Sequence, residues 1–197
     1  MARSPWVLIV VGLSCLLAAG CTIQINRDPS AHEQAAAAVL AGHRFRLDSG
    51  DRPGRTELRL GADDSIVSYG APDRQPFTVT FVHQGHAVEL AARYLNVTCS
   101  KDGQSLEVDG VPRTRGQLRS DLLATVPLGV PKESVDRGIA AADAFYAAGG
   151  GTSPLLYSLS APHRSGSGDV SVQLDISNDL HEQSLSYAVA WPGGCPV

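Results

Sequence analysis

The sequence predicts an α+β fold: an antiparallel β meander or half-barrel with a helical insert and a C-terminal group of strands. Three observations carry that expectation. Apolar and polar residues alternate with period two from Arg44 to Val108, the spacing turns helical from Gln117 to Ala148, and alternation returns from Leu155 to Trp191. Period-two alternation gives one buried and one wet face, as antiparallel sheets have, and strand runs around a helical stretch read as α+β.

The chain opens on a leader, residues 1–20. Met1 to Pro5 holds one basic side chain, Arg3, and Trp6 to Ala19 is an uncharged apolar run ending in small residues. That is the length of a secretory h-region, and it falls short of the roughly 20 apolar residues needed to span hydrocarbon. Ala18-Ala19-Gly20-Cys21 resembles the signal of bacterial lipoproteins, although Ala18 stands where that family prefers Leu and Leu17 comes one step earlier. The resemblance implies cleavage before Cys21, diacylglycerol on its thiol and a palmitoyl-type acyl chain on the new amino group. It places the protein on the cell membrane or outer membrane, lipid-anchored and facing the periplasm or the exterior. The alternatives are general signal-peptidase cleavage with a free Cys21 thiol, or an uncut anchor.

Residues 21–30 read as a lipidated tether and 31–197 as a single α+β domain, long enough for one core and short for two. A hydrophobic fraction of 43% places the chain among folded proteins. Loss of Arg3 with the leader leaves 15 basic against 20 acidic side chains, a net charge of −5. This balance argues against a nucleic-acid partner, which calls for clustered Lys and Arg. It argues equally against charge-driven adhesion to anionic lipid, so a lipid anchor would have to supply the membrane contact.

In chain order, Asp28-Pro29-Ser30 starts a short helix over His32 to Leu40, with Ser30 as N-cap and Gly42 as its stop. Strand patterns follow at Arg44 to Asp48, around Leu58 and Leu60, at Phe77 to Phe81, at Val88 and Leu90, at Leu95 to Cys99, and at Leu106 and Val108. Turn chemistry separates them at Asp51-Arg52-Pro53-Gly54, Asp63-Asp64, Gln84-Gly85 and Lys101-Asp102-Gly103. Leu118 and Leu122 lie one helical turn apart, and Val135, Ile139, Ala142 and Tyr146 share a face of a second helix between Pro131 and Ala148. Strands resume at Leu155 to Leu159, Val170 to Ile176 and Leu185 to Trp191.

With Cys21 acylated and Cys15 gone with the leader, Cys99 and Cys195 remain, and an oxidising exterior favours a disulfide between them over two free thiols. Closing a loop of about 100 residues stabilises by up to about 4–5 kcal/mol in the chain-entropy view.

Candidate chemistry is sparse. His83-Gln84-Gly85-His86 reads as a hairpin turn with a solvated histidine pair, half a zinc site at best, whose further ligands would have to come from His43, His163, Asp63 or Asp64. His163-Arg164-Ser165-Gly166-Ser167-Gly168-Asp169 gathers Ser, His and Asp in a flexible loop without the Gly-x-Ser-x-Gly elbow. Phosphate-loop, dinucleotide and zinc-protease patterns are missing from the sequence. No catalytic residue, metal site or cofactor is therefore assigned. The Ser165 to Gly168 loop, with Tyr94 to Cys99 and Asp102-Gly103, resembles fragments of the lipid-anchored inhibitors of c-type lysozyme. That resemblance implies a loop entering the lysozyme cleft; here Tyr94 stands five residues before the cysteine and a helical stretch intervenes.

The expected function is a non-enzymatic envelope lipoprotein that binds an envelope protein, a glycan or a small ligand through an exposed apolar patch or cleft lined by residues such as Phe77, Tyr69 and Tyr94. The alternative is a small hydrolase or lysozyme-inhibitor-like protein working through 163–169.

Overall fold

Ser30 begins the first helix through a reciprocal pair of bonds. Its hydroxyl accepts from the Glu33 N–H at 3.2 Å, and the Glu33 carboxylate accepts from the Ser30 N–H at 2.7 Å. In the computed structural model, which describes residues 28–196, this helix is α1 (Ala31–Val39), and its buried side is Ala36 and Val39, continued by Leu40. The leader, Cys21 and most of the tether lie outside the described residues.

The strands are β1 (Arg44–Asp48), β2 (Ile66–Tyr69), β3 (Phe77–His83), β4 (His86–Cys99), β5 (Gly103–Gly110), β6 (Leu155–Ser160), β7 (Asp169–Ile176) and β8 (Gln183–Pro192). Two helices lie between β5 and β6: α2 (Arg115–Leu123), boxed at its start by Thr114 and Gln117, and α3 (Lys132–Ala147). All eight strands form one open sheet in the order β1-β3-β4-β5-β8-β7-β6, with β2 also on β4. The α+β expectation holds. The first meander and the C-terminal group are one structure because β5 and β8 pair from Gly103↔Pro192 to Asp109↔Ser186.

Several details depart from a plain meander. β1 pairs with β3 in parallel, from Arg44↔Thr78 to Asp48↔Val82. Parallel neighbours need a crossover of a dozen residues or more, which 49–76 provides. The alternation at Leu58 and Leu60 is not a strand. Residues 55–59 turn, with Arg59 at φ 54°, and Leu58 is fully buried while its carbonyl accepts the Tyr69 hydroxyl. The Arg55 guanidinium donates to the Gly61, Ala62 and Asp64 carbonyls, so a side chain satisfies acceptors that a strand ladder would have used. Ile66–Tyr69, unrecognised from alternation, is the strand that does form here.

β4 explains two apolar runs of opposite parity. Leu90 and Ala92 face inward at even positions, whereas Leu95, Val97 and Cys99 face inward at odd ones. Ala92 pairs with Gly110 and Tyr94 with Asp109, leaving Arg93 as one extra residue. This β-bulge lets a single 14-residue strand keep both halves turned toward the core.

The sheet curls strongly around that core, in which Phe77, Phe81, Leu95, Leu106, Val172 and Tyr187 are all buried. Just beyond β1, the Ser49 carbonyl accepts from the Gly168 N–H at 2.7 Å and from the Trp191 indole N–H at 3.2 Å. The first strand thus reaches the entry of β7, the half-barrel form. A Cβ on Gly168 would lie 2.8 Å from the Trp191 ring, so only glycine fits the seam. At Gly138 a Cβ would meet the Tyr157 ring at 3.2 Å, and its absence lets α3 lie close on β6.

Candidate functional site

Three places combine polar chemistry with the fold. The first is the Ser/Gly loop. Its His163 Nδ1 is in short contact with an Asp169 carboxylate oxygen, but the Ser167 hydroxyl donates to the Arg164 carbonyl at 3.2 Å and the backbone N–H of Ser167 points to the same acceptor. The structure brings together the histidine and the acid and turns the serine onto its own loop. Nucleophile activation needs the hydroxyl within about 2.6–3.2 Å of the base, whereas the Ser167 hydroxyl is turned to the Arg164 carbonyl and not to His163.

The second is the hairpin at His83-Gln84-Gly85-His86. His83 and His86 pair across the turn as expected, but the two imidazoles are not both solvated. His86 is exposed, whereas His83 is only 1% exposed. Its Nδ1 meets the buried Ser49 hydroxyl at 2.6 Å and its Nε2 meets the Gln84 amide nitrogen at 2.7 Å. With the amide donating to Nε2, the ring carries its proton on Nδ1 and donates to Ser49. Burial, then the Arg164 guanidinium, lower its basicity, with Asp48 acting the other way. This Ser–His contact was invisible in the sequence, since the partners stand 34 residues apart. It serves the seam: Ser49 also supplies the carbonyl that holds Gly168 and Trp191. Among the described residues, no three His, Cys, Asp or Glu side chains are grouped to hold a metal ion.

The third place is a groove of about 750 Å³ between α1, the β2–β3 connection and the bulge of β4. It falls within the usual volume of ligand sites. Tyr94, thrown outward by the bulge, is 49% exposed, and its ring lies against Gly70, where a Cβ would come within 3.3 Å. Arg74 and Arg93 line the groove, together with His32 from α1. The His32 ring is parallel to that of Tyr69 with centroids 6.1 Å apart. Arg93 reaches the Asp109 carboxylate only at 3.7 Å, and its Nε is buried with no hydrogen-bond partner among the described residues. An orphaned buried donor is uncommon in a native fold and marks where an acceptor is wanted.

Of the aromatics expected at a cleft, the structure puts Tyr94 in this groove and buries Tyr69 and Phe77 in the core beneath it. Burial and the nearby Asp64 carboxylate raise the Tyr69 phenol above its ordinary range, consistent with a hydroxyl committed to the Leu58 carbonyl. Arg74 and Arg93 belong to no motif, so the sequence does not single them out. The parity break between Leu90 and Leu95 was the signal that could have singled out Arg93.

Cys99 and Cys195 lie at disulfide distance, with Cα atoms 5.7 Å apart. The tail leading to Cys195 is also held by Arg52, which donates to the carbonyls of Pro192 at 2.9 Å, Gly193, and Gly194 at 2.7 Å, and to Gln104 Oε1 at 2.8 Å. Among the described residues, no helix is long and apolar enough to cross a membrane. Comparison of the chain with protein-family models, curated proteins and solved structures finds no match.

Proposed function

We propose that this protein is a lipid-anchored envelope protein without a catalytic step, which binds an envelope protein, glycan or small molecule in the groove beside α1. The half-exposed, outward-turned Tyr94 in a groove of about 750 Å³ that Arg74 and Arg93 also line carries the reading: a bound group would stack on the ring beside two guanidiniums. The remainder follows from the leader. α1 begins ten residues after Cys21, a stretch that extends to at most about 35 Å. A lipid on Cys21 would therefore keep the groove near the bilayer.

Two measurements test this. Mass analysis of the exported product should find an N-terminal acylated cysteine that Cys21→Ser abolishes along with membrane retention; an unmodified Cys21 would refute the anchor. A photoreactive benzophenone side chain introduced at Tyr94 should capture one defined envelope component in living cells. Capture from Ser165 alone would instead support the second reading, in which the exposed 163–169 loop enters a partner's cleft in the manner of a lysozyme inhibitor. That reading is favoured by the loop's exposure and by the His163–Asp169 contact that braces its two ends.

A further inference from the structure

We propose that the cleft between α2 and α3 is a separate binding site for a single-chain amphiphile with one anionic head group, of which a fatty acid is the simplest. This site is independent of the groove beside α1 and of any lipid on Cys21. Its floor is apolar: Leu118 and Leu122 from α2 face Ile139 and Ala142 from α3 at the base of an open cleft of about 370 Å³. The small side chain of Ala142 keeps the space open. An amphipathic peptide helix would need anchor pockets over two or more turns, whereas the apolar floor of this cleft spans a single turn of each helix. A flexible alkyl chain matches that shape.

The mouth supplies the charge. Arg115 and Arg119 stand one turn apart on α2 and share a single carboxylate, Asp143 of α3, at 2.5 and 3.4 Å. Asp143 is the one acid lining the cleft. Of the other acids on these helices, Asp121 pairs with Arg113 at 2.8 Å and Asp136 with Lys132 at 2.7 Å. Two guanidiniums with ten N–H donors against one carboxylate leave a surplus positive charge and unused forks at the rim. Arg115 is held in place by the Tyr146 ring, 4.6 Å from its centroid, so it is oriented before a ligand arrives. The complement of an apolar slot with a two-arginine rim is an acyl chain ending in a carboxylate. A neutral alkyl chain would leave the arginines unused, and a cationic one would be repelled.

Titration calorimetry of the exported Cys21→Ser product in detergent-free buffer tests the proposal, with laurate below its micelle concentration as ligand and dodecanol and dodecyltrimethylammonium as head-group controls. Laurate should bind one to one, dodecanol at least about tenfold more weakly, and the cation not at all. Arg119→Gln, at an exposed rim position, should weaken laurate about tenfold and leave dodecanol unchanged. Ala142→Phe should fill the slot and abolish both. If Ala142→Phe fails to fold, the Arg119→Gln comparison decides alone. No laurate binding, equal binding of laurate and dodecanol, or laurate affinity unchanged in Arg119→Gln would each overturn the proposal. None of these outcomes bears on capture from Tyr94, so the two readings fail separately.

Discussion

The two ends of β8 are built on different principles. At its C-terminal end, Trp191 reaches the Ser49 carbonyl, Pro192 and the two glycines after it lend their carbonyls to Arg52, and Cys195 meets Cys99. At its N-terminal end, Gln183 accepts the Tyr146 hydroxyl and donates to the Arg113 carbonyl at 2.6 Å. Beyond Tyr146 and Arg113 the helices splay into a cleft. One end is closed by a cysteine pair at disulfide distance and by charge-assisted bonds to backbone oxygens, which are fixed. The other relies on neutral bonds, those of Gln183 with the Arg113 main chain and that of the Tyr146 hydroxyl with the Gln183 side chain. Small domains concentrate rigidity where a chain terminus would otherwise fray and leave room where something has to enter.

The contrast is most directly broken at the cysteines. Cys195→Ser should lower the unfolding free energy by about 2–5 kcal/mol, with Cys99→Ser giving the same loss and the double variant no more. Denaturant titration under oxidising conditions measures it, and additive losses would mean the two sulfurs act separately. Arg52→Ala removes donors to the Gln104 side chain and to three main-chain carbonyls. It should cost about 1.5–3 kcal/mol in the same assay and speed amide exchange in 193–195 while leaving Gln183 protected.

A smaller effect separates the seam from the helices by pH. His83 is less basic in the fold than when free, because of burial and Arg164. Its folded value lies below the unfolded one of about 6.5, so the unfolded chain takes up a proton that the native state resists. Stability from this group is complete above about pH 6.5 and declines as pH falls toward the depressed native value. Thermal melts between pH 7.5 and 5 should show that decline, and His83→Asn should flatten it. Asp175, at the open end opposite Ser184, gives the opposite sign. Burial, then Asp109 and Glu182, hold its carboxyl above the ordinary range, so ionising it at neutral pH costs stability. Asp175→Asn should raise the melting temperature by about 1–2 °C at pH 7, and the gain should vanish below about pH 4, where the unfolded carboxyl is also protonated.

Alternation and capping chemistry were legible wherever a segment's local pattern agreed with its place in the fold. Val170, Val172, Leu174 and Ile176 are all buried in β7, Ser30 and Glu33 form the helix start, and Cys99 finds Cys195. Legibility ended where a distant group overrode the local pattern. Leu58 reads as strand, but Arg55 collects the nearby carbonyls and the segment turns instead. His83 reads as half of a solvated pair until Ser49, far back in the chain, buries it. The parallel pairing of β1 with β3 leaves no trace in either strand, because register between remote segments is set by the sheet that encloses them. The groove beside α1 was half visible: an aromatic such as Tyr94 could be suspected, but Arg93 and Arg74 have no periodicity to betray them.

The extra residue at Arg93 also limits how this protein can diverge. Shortening that strand by one position would turn half of it inside out, exchanging Leu95, Val97 and Cys99 for Asn96 and Thr98 on the inner face. Substitutions can accumulate around it freely, but insertions and deletions cannot. Kin too remote to share residue identities should still share a count, fourteen positions from the histidine that leaves the hairpin to the cysteine that meets the tail.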